Sequence, residues 1–173
     1  MIPTAQALVH QLIEQTVHIG DVVVDATTAN GINTRFLATR VGTTGHVISY
    51  TATKDNANAA ATSLFMSGLS ERVTLLGKNI DSSYVTELGK KNQASIAIFD
   101  YSSDAQNNND FSENYLEQID CVLPRLTHGG LLIIKFNNTP ISWQTYTRNL
   151  IRDDFKQATY ITETVQAHII ERI

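Results

Sequence analysis

Three consecutive β-branched residues, Val22, Val23 and Val24, run without a polar interruption and stop at Asp25. A strand wet on one side alternates apolar and polar residues, whereas an unbroken apolar run belongs to a strand covered on both faces, as in a parallel sheet. Such a sheet needs a helix between each pair of strands and helices on both of its faces. The chain therefore has to alternate strands with helices.

The pattern on either side does this. From Thr4 to His18 the residues Ala5, Leu8, Val9, Leu12, Ile13 and Val17 recur at helical spacing, and Gly20 ends the run. After the first strand, a loop from Ala26 to Gly31 leads into a helix over Asn33 to Arg40, closed by the Gly42 to Gly45 turn. The unit then repeats. His46 to Tyr50 reads as a strand, Asp55 to Met66 as an Ala-rich helix stopped by Gly68, and Arg72 to Leu76 as a third strand. A helix around Ser83 to Leu88 and a strand over Ser95 to Phe99, ending at Asp100, come next. Ser102 to Asp110 is a polar, Asn-rich loop; Glu113 to Leu126 reads as a helix punctuated by Gly129-Gly130, and Leu131 to Phe136 as a very apolar strand. Trp143 to Ile151 is the last helix. Beyond it Gln157 to Ile161 and Val165 to Ile170 are strand-like and too close together to admit a helix, so they form a hairpin. The expectation is a doubly wound, Rossmann-like α/β fold. It has a seven-stranded, mostly parallel sheet, a C-terminal antiparallel hairpin and helices on both faces.

At 173 residues the chain is expected to be one domain over 1–173. With 42% apolar and 17% charged residues, 9 Gly and 3 Pro, it is neither disordered nor collagen-like. No apolar run approaches the ~20 residues needed to cross a bilayer, and Met1 to Gln6 lacks the basic start and apolar core of a signal peptide. A cytoplasmic location without membrane contact is expected. The single cysteine, Cys121, excludes an internal disulfide framework and a thiolate-rich zinc site, and no two of His10, His18, His46, His128 and His168 have metal-ligand spacing. No metal is expected. A net charge of −4 provides no global field to gather nucleic acid, so any RNA contact rests on local cations, for which Lys135, Arg148 and Arg152 are candidates.

The stretch Asp25 to Ala38 combines a buried strand, a strand-end acid, a turn and a helix in the order Asp-Ala-Thr-x-x-Asn-Gly-x-x-Thr-x-Phe-Leu-Ala. In it the chain resembles class I S-adenosylmethionine-dependent methyltransferases, and in particular the YtqB/MnmM-like family of rRNA methylases, which includes tRNA wobble-uridine methyltransferases. The resemblance implies S-adenosylmethionine as cofactor, an RNA substrate (tRNA or rRNA) and methylation of an exocyclic amine. It is also compatible with a homodimer. Cofactor contacts are implied at Asp25, Thr27, Ala29, Asn30, Gly31 and Thr34, with backbone near Ala29 and Gly31 against the amino-acid end. Asp25 has a second reading, as a strand-end acid that caps the following turn.

Three departures fall on this site. Ala29 stands where the family has Gly, Thr51 where methyltransferases place an acid for the ribose hydroxyls, and Gly77-Lys78-Asn79 where an acid meets the adenine amino group. Thr51 and Asn79 are the substitutes the chain offers at those positions, with Asp55, one helical turn on, as an alternative to Thr51. On the reacting side the fourth strand ends in Asp100 and Tyr101, where Asp100 would orient an amine and Tyr101 flank the methyl group or stack on a base. Two function classes remain open: an active RNA methyltransferase, or a catalytically degenerate copy of the fold that serves as a protein-interaction module. A nicotinamide enzyme is disfavoured, because no Gly-x-Gly-x-x-Gly follows the first strand.

Overall fold

The structure, a computed structural model, describes residues 1–102 and 114–173. The Ser102 to Asp110 loop lies outside the described residues apart from Ser102, as does Glu113. Among the described residues seven strands form one sheet: β1 (Val22–Asp25), β2 (His46–Tyr50), β3 (Val73–Leu76), β4 (Ala94–Tyr101), β5 (Leu126–Phe136), β6 (Phe155–Ile161) and β7 (Gln166–Arg172). Their order is β3-β2-β1-β4-β5-β7-β6, parallel as far as β5 and antiparallel across β5-β7 and β7-β6. The helices are α1 (Ala5–Thr16), α2 (Ile32–Val41), α3 (Lys54–Met66), α4 (Tyr84–Glu87), α5 (Tyr115–Val122) and α6 (Ile141–Arg148). The expected fold class is the one found.

Both faces of the sheet are covered, which is why its central strands carry no polar alternation. Val23, Val47, Ile96, Ile98 and Ile133 point to one side and pack on Val9 and Ile13 of α1 and Leu37, Ala38 and Val41 of α2. Their neighbours Val24, Ile48, Ala97, Phe99, Leu132 and Ile134 point to the other side, against Tyr84 of α4, Ile119 and Val122 of α5 and Trp143 of α6. The period-two side-chain alternation thus divides one apolar run between two cores.

Several expected boundaries differ. The helix expected over Glu113 to Leu126 ends at Val122, because Pro124 opens a short 3-10 turn over Leu123–Arg125, and Leu126 already pairs with Ala94 in the sheet. Gly129-Gly130 therefore lies inside β5, at an irregularity in the β4-β5 register, and does not punctuate a helix. Gly129 has φ +75°, and a Cβ on Gly130 would sit 2.8 Å from the Thr127 carbonyl, so glycine is needed at both. The last helix begins two residues earlier than expected, after Pro140, and ends at Arg148. The helix around Ser83 to Leu88 is a single turn. Among the described residues no helix is long and apolar enough to cross a membrane.

Candidate functional site

β1 is flanked by β2 on one side and β4 on the other, so the chain leaves β1 and β4 in opposite directions along the sheet. At such a switch point the connecting loops part and leave a crevice over the C-terminal ends of the strands. A cleft of about 190 Å³ lies there. Its walls are the turn Thr27 to Asn30, Ile32 and Asn33 at the start of α2, Gln6 of α1 and Asp100 of β4.

The turn is held by its own bonds. Thr28 donates twice to the Tyr50 carbonyl, from N at 3.0 Å and from Oγ1 at 2.9 Å, which ties the turn to β2. Gly31 N donates to the Thr28 carbonyl at 2.7 Å, and Ile32 N donates to Asn30 Oδ1 at 3.1 Å. Gly31 enters α2 at φ +78°, the left-handed conformation that glycine takes without penalty. Ala29 takes φ +45°, so the methyl group that replaces the family's glycine is accommodated in a conformation that costs a residue with a Cβ ~1–2 kcal/mol.

Asp25 lies beneath this turn with no exposed surface. Its carboxylate accepts from Thr34 Oγ1 at 2.7 Å and from Thr27 N at 3.2 Å, and Thr34 Oγ1 also lies 2.7 Å from Ser49 Oγ. Burial pushes the Asp25 carboxyl up to about 6; the bonds from Thr34 and Thr27 oppose this, and the nearby Asp100 charge adds to it. Asp25 and Thr34 thus brace the turn from inside and do not line the cleft, the geometry of the capping reading of Asp25. Thr27 faces the cleft, and its Oγ1 accepts from Asp100 N at 2.6 Å, which ties the ends of β1 and β4 together.

Asp100 is 5% exposed and its carboxylate is well supplied with donors. Oδ1 accepts from Ser102 N at 3.0 Å and Ser102 Oγ at 2.5 Å, and Oδ2 accepts from Lys135 Nζ at 3.0 Å. Lys135 corrects an expectation. It is fully buried and ion-paired, and is not a surface cation for phosphate. Arg148 and Arg152 line a hollow with Phe155, whose partner in β7 is Arg172 at the end of the sheet opposite the crevice. A phosphate bound there would be remote from the cleft. Tyr101 is half-buried, with its ring stacked 6.0 Å from Phe136 and edge-on 6.2 Å from Tyr115, so packing fixes its direction.

Thr51 and Asn79 follow β2 and β3 on the same rim but outside the cleft. The Thr51 hydroxyl donates to the Thr53 carbonyl at 2.8 Å, leaving its lone pairs for a further donor, and Asn79 is exposed. Lys78 is a strut. Its Nζ pairs with Asp81 at 3.1 Å and Glu87 at 2.6 Å, and Glu87 also accepts from Tyr50 Oη at 2.8 Å. The structure thus brings together Thr27, Ala29, Asn30 and Asp100 of the expected site. It adds Gln6, Thr28 and Asn33, which sequence reasoning missed. Thr28 and Asn33 fall at unspecified positions of the Asp25 to Ala38 motif, whereas Gln6 comes from a helix that precedes the first strand, and nothing local marks it. Among the described residues no group of three or more metal-ligating side chains comes together.

No protein-family model matches the chain, and no curated protein matches it. Solved structures do. A protein from Clostridium thermocellum described as an rRNA methylase superposes with a TM-score of 0.86 at 20% identity over 100% of both chains. An rRNA methylase from Streptococcus thermophilus gives 0.81 at 21% identity, over 100% of this chain and 99% of that one. SMU.1697c from Streptococcus mutans, described as a methyltransferase and solved with S-adenosylhomocysteine, gives 0.82 at 19% identity over 100% of both. At these identities the similarity establishes the fold, which is that of Rossmann-like methyltransferases.

Proposed function

We propose that this chain is an S-adenosylmethionine-dependent methyltransferase that acts on an exocyclic amine of an RNA nucleotide, in tRNA or rRNA. The observation that carries the reading is the cleft at the β1/β4 switch point, walled by the Thr27 to Asn30 turn and by Asp100, in a fold shared along its whole length with a protein that binds S-adenosylhomocysteine. The RNA target rests on the description of two structural neighbours as rRNA methylases.

The residues fit the amino-acid end of the cofactor. Ligand pockets generally measure ~300–1,000 Å³. The cleft is smaller, at about 190 Å³, and has room for that end and not for the whole nucleoside. The backbone of the turn and the amide side chains of Gln6, Asn30 and Asn33 surround it, and α2 presents its N-terminus there, where a carboxylate is favoured. Thr51 would accept from a ribose hydroxyl. The bound cofactor supplies a methyl group on a sulfonium. Asp100 would hold the amine: Oδ1 is saturated by Ser102, while Oδ2 carries one bond from Lys135 and has a lone pair left for an N–H. Alignment is the main contribution a protein makes to such an in-line displacement.

One observation favours the second reading, a degenerate fold that serves as a protein-interaction module. The acids nearest the cleft, Asp25 and Asp100, are both engaged internally, and the ribose position carries a neutral Thr51. Calorimetric titration with S-adenosylmethionine and S-adenosylhomocysteine, with NAD as control, separates the two. Binding of both sulfur compounds and not of NAD is the expected result. Millimolar ligand without heat or thermal shift would favour the module.

A further inference from the structure

We infer that Lys135 and Gln6 are positioning residues for Asp100, joined to His10 in a hydrogen-bond chain whose direction requires a neutral imidazole. The use made of Asp100 rests on the methyltransferase reading; the chain itself rests on contacts. Lys135 Nζ donates to Asp100 Oδ2 and to Gln6 Oε1, each at 3.0 Å. Gln6 Nε2 lies 2.7 Å from Asn33 Oδ1 and 2.8 Å from His10 Nε2. Gln6, Asn33 and Asp100 are all walls of the cleft, so the chain runs around its rim.

Its direction follows from the chemistry of the groups. An ammonium has donors only, so the Gln6 atom that faces Lys135 has to be the carbonyl oxygen. The amide NH₂ then faces His10, whose Nε2 has to accept, which places the ring proton on Nδ1. The ring is also pinned, stacked on Phe36 with centroids 4.0 Å apart and planes 4° from parallel. A second proton on His10 would set an N–H against the Gln6 NH₂. Turning the amide over would set that NH₂ against the Lys135 ammonium. Either way one link breaks, and with it the arrangement of Gln6, Asn33 and Lys135 about Asp100.

The groups that face His10 are Gln6 and Glu14 on its own helix, Asn33 and Phe36 on α2, and Lys135 on β5. Burial lowers the His10 pKa below its ordinary 6.5 and the Lys135 charge lowers it further, against the Asn33 bond and the Glu14 charge. The neutral form that the chain needs is therefore the one the surroundings favour near neutral pH.

Long-range ¹⁵N–¹H spectra of the histidine rings test the inference directly. In the wild-type protein His10 should show the Nδ1–H tautomer alone. Lys135→Met removes a group with no hydrogen bond to the imidazole, yet it should release the Gln6 amide and produce mixed tautomers, an effect that loss of a distant charge alone would not cause. Gln6→Ala should do the same and serves if Lys135→Met does not fold. At pH 8 either variant should weaken S-adenosylhomocysteine binding about tenfold, because each removes or releases the Gln6 amide assigned to the cofactor's amino-acid end. Below the His10 pKa wild-type affinity should fall, and His10→Phe, which keeps the stack, should lack that component of the pH profile. Asp25 is common to both proteins, so the difference between their pH profiles isolates His10. A wild-type Nε2–H tautomer, or tautomers unmoved by both variants, would overturn the chain. Tautomer shifts as expected in a wild-type protein that binds no S-adenosylhomocysteine would support the chain and overturn the cofactor reading instead.

Discussion

The ammonium of Lys135 and the carboxylate of Asp100 meet at 3.0 Å with side chains 0% and 4% exposed, an ion pair enclosed between β4 and β5 where the sheet opens into its cleft. The two residues are direct neighbours across the strands, in register as Asp100 with Lys135. Taking both charges out of water is costly, and the bonds from Ser102 to Asp100 Oδ1 and from Lys135 to Gln6 offset part of that cost.

Removing one partner strands the other. Lys135→Met should destabilise the protein by about 3–5 kcal/mol, while the double variant Lys135→Met/Asp100→Asn should recover most of that loss. Urea denaturation of the two single variants and the double variant completes the cycle. Additive effects would show that the pair is not coupled.

Asp25 makes stability depend on pH in an unusual direction. Its folded pKa, about 6, lies above the ordinary 3.8, so the folded state holds the proton more tightly than the unfolded chain. The resulting stabilisation is complete below the unfolded pKa and is lost as pH rises through about 6, up to ~3 kcal/mol in all. Asp25→Asn should flatten the melting temperature between pH 4 and pH 7. Asp25→Ala should be worse than Asn at every pH, because it leaves Thr34 Oγ1 and Thr27 N without their acceptor.

Ala29 adopts φ +45° in the turn that walls the cleft. Ala29→Gly removes the Cβ penalty of ~1–2 kcal/mol and adds ~0.5–1 kcal/mol of unfolded-state entropy, so stability should stay level or rise by up to ~1.5 kcal/mol. The missing methyl also enlarges the cleft. Affinity for S-adenosylhomocysteine should be kept or improved, as read by calorimetry, and a loss would place the cofactor elsewhere.

Thr51 donates its hydroxyl to the Thr53 carbonyl, and a carboxylate in its place would face that oxygen without a proton. Thr51→Asp should therefore lower the melting temperature of the free protein, at a cost of ~1–2 kcal/mol. If the ribose lies against this residue, the same change should tighten S-adenosylhomocysteine binding about tenfold through charge-assisted bonds. Lower stability with unchanged affinity would remove Thr51 from the site.

Much of this architecture is legible in the order of residues. Val22 to Val24 and Leu131 to Ile134 are apolar without alternation because both faces of the sheet are covered, and the short span between Ile161 and Val165 leaves a hairpin as the only connection. These are local consequences of periodicity and reach. The limits of that reading are also local: Pro124 ends a helix whose apolar pattern continues to Leu126, and Gly129-Gly130 serves a strand irregularity as readily as a helix stop.

Within the site, the sequence by itself determined the turn after the first strand, because Asp25, Gly31 and Thr34 act on neighbours a few residues away. Only the tertiary structure decided what Lys135 and Gln6 do. They are 129 residues apart, and α1 has to pack across β4 and β5 before their side chains meet at Asp100. Spacing in sequence carries no trace of such a contact. The same physics turned Lys135 from an expected phosphate ligand into a buried counter-ion: a cation at the end of a central strand is enclosed by both layers, and it can stay charged there only beside a carboxylate that the fold delivers from the neighbouring strand.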